Sequence, residues 1–208
     1  MGSKHFTRFT LKQTTPMNKK LQYITASLFI ASAITGCKKD NVDPVIPPPP
    51  VNEEEVITTM ILSFDNVGAG ADKELRFTDA DGDGSGAPVF DLDTLDNASV
   101  YTTSIILLNE TVNPVDTISN EVLAEGEDHQ FFFQPSGANI SFIYSDADGN
   151  FNPIGLLTTM TTGAPSVGTL LVTLRHEPNK TAAGVQGGDI TNAGGETDIE
   201  VSFPLVIE

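Results

Sequence analysis

The C-terminal stretch Asp198-Ile199-Glu200-Val201-Ser202-Phe203-Pro204-Leu205 alternates polar and apolar residues with a period of two. That is the pattern of a strand with one face in a core and the other in water. Pro204 has no N–H to give to a ladder, which places the strand at a sheet edge or a bulge. The same alternation runs through Val56-Thr58-Met60-Leu62-Phe64 and Ile140-Phe142-Tyr144, and Phe131 and Phe133 share a face that Phe132 does not. Residues 99–108, SVYTTSIILL, and 169–175, TLLVTLR, are apolar on both parities, which predicts central strands covered on both sides. Ile118 to Glu125 is the one helical candidate, with Thr117 or Ser119 as its cap and Gly126 as its stop. Seven or eight short strands joined by turns rich in Gly, Asp and Asn predict an all-β fold for residues 53–208, an antiparallel β-sandwich of immunoglobulin-like character.

Upstream of the domain, residues 21–36, LQYITASLFIASAITG, form an apolar run behind Asn18-Lys19-Lys20 and end at Cys37, the single cysteine of the chain. The run is too short to cross a bilayer as a mature helix and has the form of a lipoprotein signal peptide over 1–36, with Met17 as an alternative start. Cys37 is then the lipidation site, and two or three acyl chains, at ~0.8 kcal/mol per buried methylene, would anchor the protein in a membrane. Residues 37–52 contain Pro44 and Pro47-Pro48-Pro49-Pro50, an extended polyproline spacer. With no second cysteine, the domain has no internal disulfide.

All 28 acidic residues follow Lys39, while cleavage would leave six basic ones, Lys38, Lys39, Lys73, Arg76, Arg175 and Lys180, for a net charge of −22. Such a balance argues against nucleic acid as a partner and favours cations. Asp79-Ala80-Asp81-Gly82-Asp83-Gly84-Ser85 has alternating carboxylates and a glycine at the sixth position, like the opening of a calcium loop. Phe90 stands where the closing glutamate belongs, and Asp91 or Asp93 just beyond would have to substitute. Asp146-Ala147-Asp148-Gly149-Asn150 echoes that turn in weaker form, so that residues 76–83 and 143–150 read as two copies of a strand end running into an acidic turn. Calcium is the cofactor expected at these two places; water-filled Asp/Gly turns are the alternative.

His129, preceded by Glu125, Glu127 and Asp128, and His176, beside Glu177, form no local metal array. They predict a transition-metal site only if the fold brings them together with a carboxylate. The loop of residues 176–198 is long for a compact domain, and Gly187, Gly188, Asp189 and Asn192 within it are candidate ligand-binding positions. Enzyme signatures fail on inspection. Asn179-Lys180-Thr181 lacks the glycines of a phosphate loop, and no Gly-x-Ser-x-Gly elbow occurs. The expected role is therefore non-catalytic.

At Asn52-Glu53-Glu54-Glu55-Val56-Ile57-Thr58-Thr59, Glu127-Asp128-His129-Gln130-Phe131-Phe132-Phe133 and Leu174-Arg175-His176-Glu177-Pro178-Asn179-Lys180, the chain resembles small lipoproteins of Bacteroidota-type bacteria. The resemblance covers about residues 50–208. Some such proteins carry the label of type 1 periplasmic-binding-fold proteins, which implies two α/β lobes that the strand-rich pattern does not support. Lys38-Lys39-Asp40 is similar to the surface-export signal of these lipoproteins. The resemblance implies an outer-membrane lipoprotein, on the periplasmic face or the cell surface, and a ligand-binding role. Taken together, the expectation is an anchored acidic sandwich binding a ligand or protein, such as an outer-membrane transport receptor, as an uptake accessory with calcium-stabilised loops. The alternatives are a transition-metal or small-solute binding protein and a purely structural surface protein.

Overall fold

The computed structural model describes residues 55–80, 82 and 86–208; Cys37, the signal segment, the proline spacer and Asp81, Asp83 and Ser85 of the first acidic turn lie outside the described residues. In chain order the described elements are β1 (Thr59–Asn66), β2 (Lys73–Thr78), β3 (Val89–Leu92), β4 (Val100–Leu108), α1 (Ile118–Ala124), β5 (His129–Ser136), β6 (Ile140–Tyr144), β7 (Leu157–Thr162), β8 (Ser166–His176) and β9 (Glu196–Ile207). Two 3-10 turns, Val185–Gly187 and Ile190–Asn192, lie between β8 and β9. The strands form a six-stranded sheet, β3-β2-β1-β4-β7-β6, and a three-stranded sheet, β5-β8-β9. Every strand pair within them is antiparallel. The expected all-β sandwich with one short helix is thus the observed fold, with nine strands among the described residues instead of seven or eight.

The core joins Met60, Leu62 and Phe64 of β1, Tyr101, Ile105 and Leu107 of β4 and Met160 of β7 to Phe131 of β5, Leu170, Val172 and Leu174 of β8 and Val201, Phe203 and Leu205 of β9. Burying each such side chain contributes about 1.5–3 kcal/mol, and the two-residue period of β9 delivers Val201, Phe203, Leu205 and Ile207 inward in turn. Pro204 sits in β9 at the edge of the smaller sheet, as its missing donor requires.

Two strands differ from the expectation. β4 is not covered on both faces: Tyr101, Thr103, Ile105 and Leu107 are buried, but Ile106 remains 38% exposed. β1, flanked by β2 and β4, is buried on both parities from Thr59 to Leu62. On its outer face Ile61 stands between Arg76 and Ile106 in register, and the aliphatic stem of an arginine can shield an apolar neighbour in this way.

The long loop after β8 is not a solvent excursion. It folds over the outer face of the smaller sheet, where Phe132 packs with Val185 and Ala193 in a second apolar cluster flanked by Ala182 and Ile190. Gln130 on β5 holds it there by donating from Nε2 to the Val185 carbonyl at 2.9 Å. Helix α1 is shorter by one residue than expected. It buries Ile118 and Val122 in the core, and Thr117 occupies the cap position without a side-chain hydrogen bond.

Candidate metal centre

The antiparallel register of β5 and β8 sets His129 opposite His176, and their rings stack with centroids 4.8 Å apart and planes 9° from parallel. His129, 2% exposed, lies at the start of β5 just after the turn that ends α1. Its Nδ1 is 3.1 Å from the Glu125 carbonyl oxygen, and its Nε2 is 3.7 Å from Asp198 Oδ2 on β9. The Nδ1 contact is a hydrogen bond in which the ring donates, a geometry that leaves the Nε2 lone pair for a Lewis acid. The Nε2 contact is too long for a hydrogen bond.

Around this imidazole the chain gathers carboxylates. Glu121 lies in α1 and Glu125 is its C-cap, with the Glu125 N–H donating to the Glu121 carbonyl at 2.8 Å, and Glu55 enters just before β1. Ligand atoms of Glu55, Glu125 and His129 lie within 4.8 Å of one another. Glu55 Oε2 is sealed from solvent with no hydrogen-bond partner. Burial pushes the Glu55 carboxyl up to about 7, aided by a hydrogen bond with Glu121 and by the charges of Glu121, Asp198 and Glu125. Acids so placed repel one another unless a proton or a cation lies among them. One imidazole with carboxylates suits zinc or a similar divalent ion, whereas calcium takes six to eight oxygens. In a tetrahedral zinc site the ligand atoms stand ~3.3 Å apart, so small side-chain rotations would close the observed cluster on one ion.

The expected acidic turn at 146–150 is built differently. Asp146 accepts from the N–H groups of Gly155 and Leu157, both at 2.8 Å. Asp148 Oδ1 accepts from Asn150 N at 2.8 Å and Asn152 N at 2.9 Å, and its Oδ2 takes the Lys180 ammonium at 3.1 Å. Lys180 is 5% exposed, and its Nζ also donates to the Pro153 carbonyl at 2.9 Å and to the Gly126 carbonyl. The oxygens that calcium would need are therefore occupied by N–H groups and an internal ammonium; Asn150 supplies its backbone N–H, as Asp148's partner. Burial works against the charge on Asp148, but the donors from Asn152, Lys180 and Asn150 outweigh it and hold the carboxyl below its ordinary range. Burial also lowers the Lys180 pKa, against the pull of Asp148.

At the first acidic turn, Asp79 gives its N–H to the Thr58 carbonyl at 2.7 Å, and Asp91 lies in β3 across from Arg76. In the glycine-rich loop, Asp189 Oδ1 accepts from Thr191 N at 2.9 Å and Asn192 Nδ2 donates to the Ala183 carbonyl at 2.9 Å. Both serve the loop's own fold. Gly188, at φ 90°, passes close to the Tyr144 hydroxyl, and a Cβ on Gly187 would meet nothing within 4 Å.

Of the residues singled out from the sequence, His129 and His176 are brought together. Glu55, Glu121, Asp198 and Lys180 join polar clusters that sequence spacing does not reveal. The one local signal was Glu125, four residues ahead of His129. No helix among the described residues is long and apolar enough to cross a membrane. No known family model, curated protein or solved structure matches the chain.

Proposed function

We propose that this protein is a non-catalytic, membrane-anchored binding protein whose sandwich holds a divalent transition-metal ion of the zinc class at Glu55, Glu125 and His129. The observation that carries the reading is the meeting of a buried imidazole with two carboxylates within 4.8 Å, one of which keeps a buried oxygen without a hydrogen bond. Asp198 stands ready as a fourth ligand at 3.7 Å from the ring nitrogen. The signal-like run ending at Cys37 supports the anchor, and the outer membrane, with a transport receptor as neighbour, is the setting that the resemblance suggests.

Isothermal titration with zinc and with calcium tests the metal. One zinc per chain is expected, with the heat lost in His129→Ala. Because that side chain is buried, Glu125→Gln at the exposed C-cap of α1 serves as a second variant that leaves the core intact. Zinc heat unchanged in both variants would remove the assignment. Heat with calcium alone would return the ion to the first acidic turn, around Asp79 and Asp91. Mass spectrometry of the membrane fraction tests the anchor, for which an acylated Cys37 is the expected N-terminus.

A further inference from the structure

Phe151 is 89% exposed and holds φ 65°, a conformation rarely adopted by a bulky residue. The turn enforces it: Phe151 N donates to the Asp148 carbonyl at 3.0 Å, and Asp148 N donates to the Asn152 carbonyl at 2.8 Å. Nothing in the core gains from this ring. It borders a groove of about 440 Å³ with Phe142, Ile143, Tyr144, Pro153 and Gln186 on its walls, and Ile143 there is 70% exposed. The groove is firmly built, since Tyr144 donates its hydroxyl to the Phe131 carbonyl at 2.6 Å and Gln186 Nε2 donates to Asn152 Oδ1 at 2.6 Å.

Ala147 forms one wall of this groove and also one wall of a second cleft, of about 370 Å³, whose lining includes Glu125, Glu127, Asp128 and Asp148. Glu127 and Asp128 are exposed. An apolar seat thus adjoins a carboxylate-lined one, and the complementary occupant has a large apolar side chain next to positive charge. A cation over an exposed phenyl face gains further, and charge of this sign is what an acidic surface recruits.

We propose that the two clefts form a docking site for a basic segment of another protein, with an apolar side chain seated on Phe151 and Ile143 and Lys or Arg side chains over Glu127 and Asp128. The site shares Glu125 with the metal centre, but its anchors Phe151, Ile143, Glu127 and Asp128 lie outside that centre, so variants at these four test it separately.

The chain has no tryptophan, so the fluorescence of a capped Trp-Lys-Trp-Lys-Lys peptide reports its own binding to the full-length protein. Binding is expected, weakened by salt, and about tenfold or more weaker in Phe151→Gly, as for loss of an aromatic anchor. Glycine suits the positive φ, so that variant is expected to melt no lower than the parent. Glu127→Gln with Asp128→Asn should weaken the basic probe and leave a Trp-Ser-Trp-Ser-Ser probe unchanged. The proposal is overturned by equal affinity for Trp-Glu-Trp-Glu-Glu, by no peptide binding, or by affinity indifferent to Phe151→Gly. It is overturned equally by binding that needs zinc and vanishes with chelator, by binding of a neutral oligosaccharide in place of peptide, or by self-association of the chain that Phe151→Gly abolishes.

Discussion

Two acidic clusters flank the end of α1, and they resolve their charge in opposite ways. At 146–152 the chain supplies its own cation: Lys180 binds Asp148 and two carbonyls, while backbone N–H groups take the other carboxylate oxygens. Around His129 no Lys or Arg among the described residues forms an ion pair with Glu55, Glu121 or Glu125, and the carboxyl of Glu55 retains a proton up to about 7 instead. The lesson of 146–150 is that alternating aspartates can be satisfied by the chain's own donors. What matters is which carboxylates are left without donors once the fold has closed, because an unpaired buried charge is far more costly than a paired one.

If the first cluster is internally neutralised, removing its ammonium should have the largest effect. Lys180→Met leaves Asp148 buried beside two carbonyls that have lost their donor, and a destabilisation of about 3–5 kcal/mol is expected in urea unfolding. A loss below ~1 kcal/mol, the range of an exposed pair, would show that water reaches the site and would blunt the contrast. The same pair sets an acid limit. Because the folded Asp148 pKa lies below its ordinary 3.8, the stability it contributes is present above that pH and is lost as pH falls through the lower, folded value. In Asp148→Asn that part of the acid transition should disappear.

The second cluster predicts the next largest effect. Zinc at about one hundred times its dissociation constant should stabilise the folded chain by about 2.7 kcal/mol, seen as a rise in melting temperature that chelator reverses. Calcium at the same concentration should do little there, since the imidazole offers it no oxygen. If zinc gives no rise in the parent, or the same rise in His129→Ala, the contrast between a closed and an open cluster is lost.

The architecture was legible because strand periodicity is local: Val201, Phe203 and Leu205 point one way whatever they meet. Which strand is central was less so. The apolar parity of 99–108 resembled a doubly covered strand, but Ile106 faces outward because no second layer lies over that part of β4. The candidate metal cluster was half legible. His129 and His176 were visible as candidates, yet their stacking follows from the β5–β8 register, and Glu55, 74 residues before His129, arrives through the sandwich topology alone. In the sequence Lys180 is one of six basic residues after Cys37 and stands in a spacing that lacks the glycines of a phosphate loop. Its burial depends on how the 176–198 loop wraps the sheet, which no spacing announces.

The smallest effect separates the protonated from the metallated reading of the open cluster. Glu55 binds its proton more tightly in the folded chain than in the unfolded one, with a pKa of about 7 against 4.5. The stability linked to that proton is full below about pH 4.5 and is lost as pH rises through 7. In the metal-free protein Glu55→Gln should therefore be nearly neutral below pH 4.5 and stabilising at pH 8, where it removes a charge that burial and the neighbouring acids oppose. With zinc present the sign should invert at pH 8, because the amide no longer offers a carboxylate, and zinc affinity in the parent should rise from pH 5 to pH 8 as the ion displaces the proton. A Glu55→Gln variant that gains stability at pH 8 equally with and without zinc would leave the cluster a proton trap, with no ion in it.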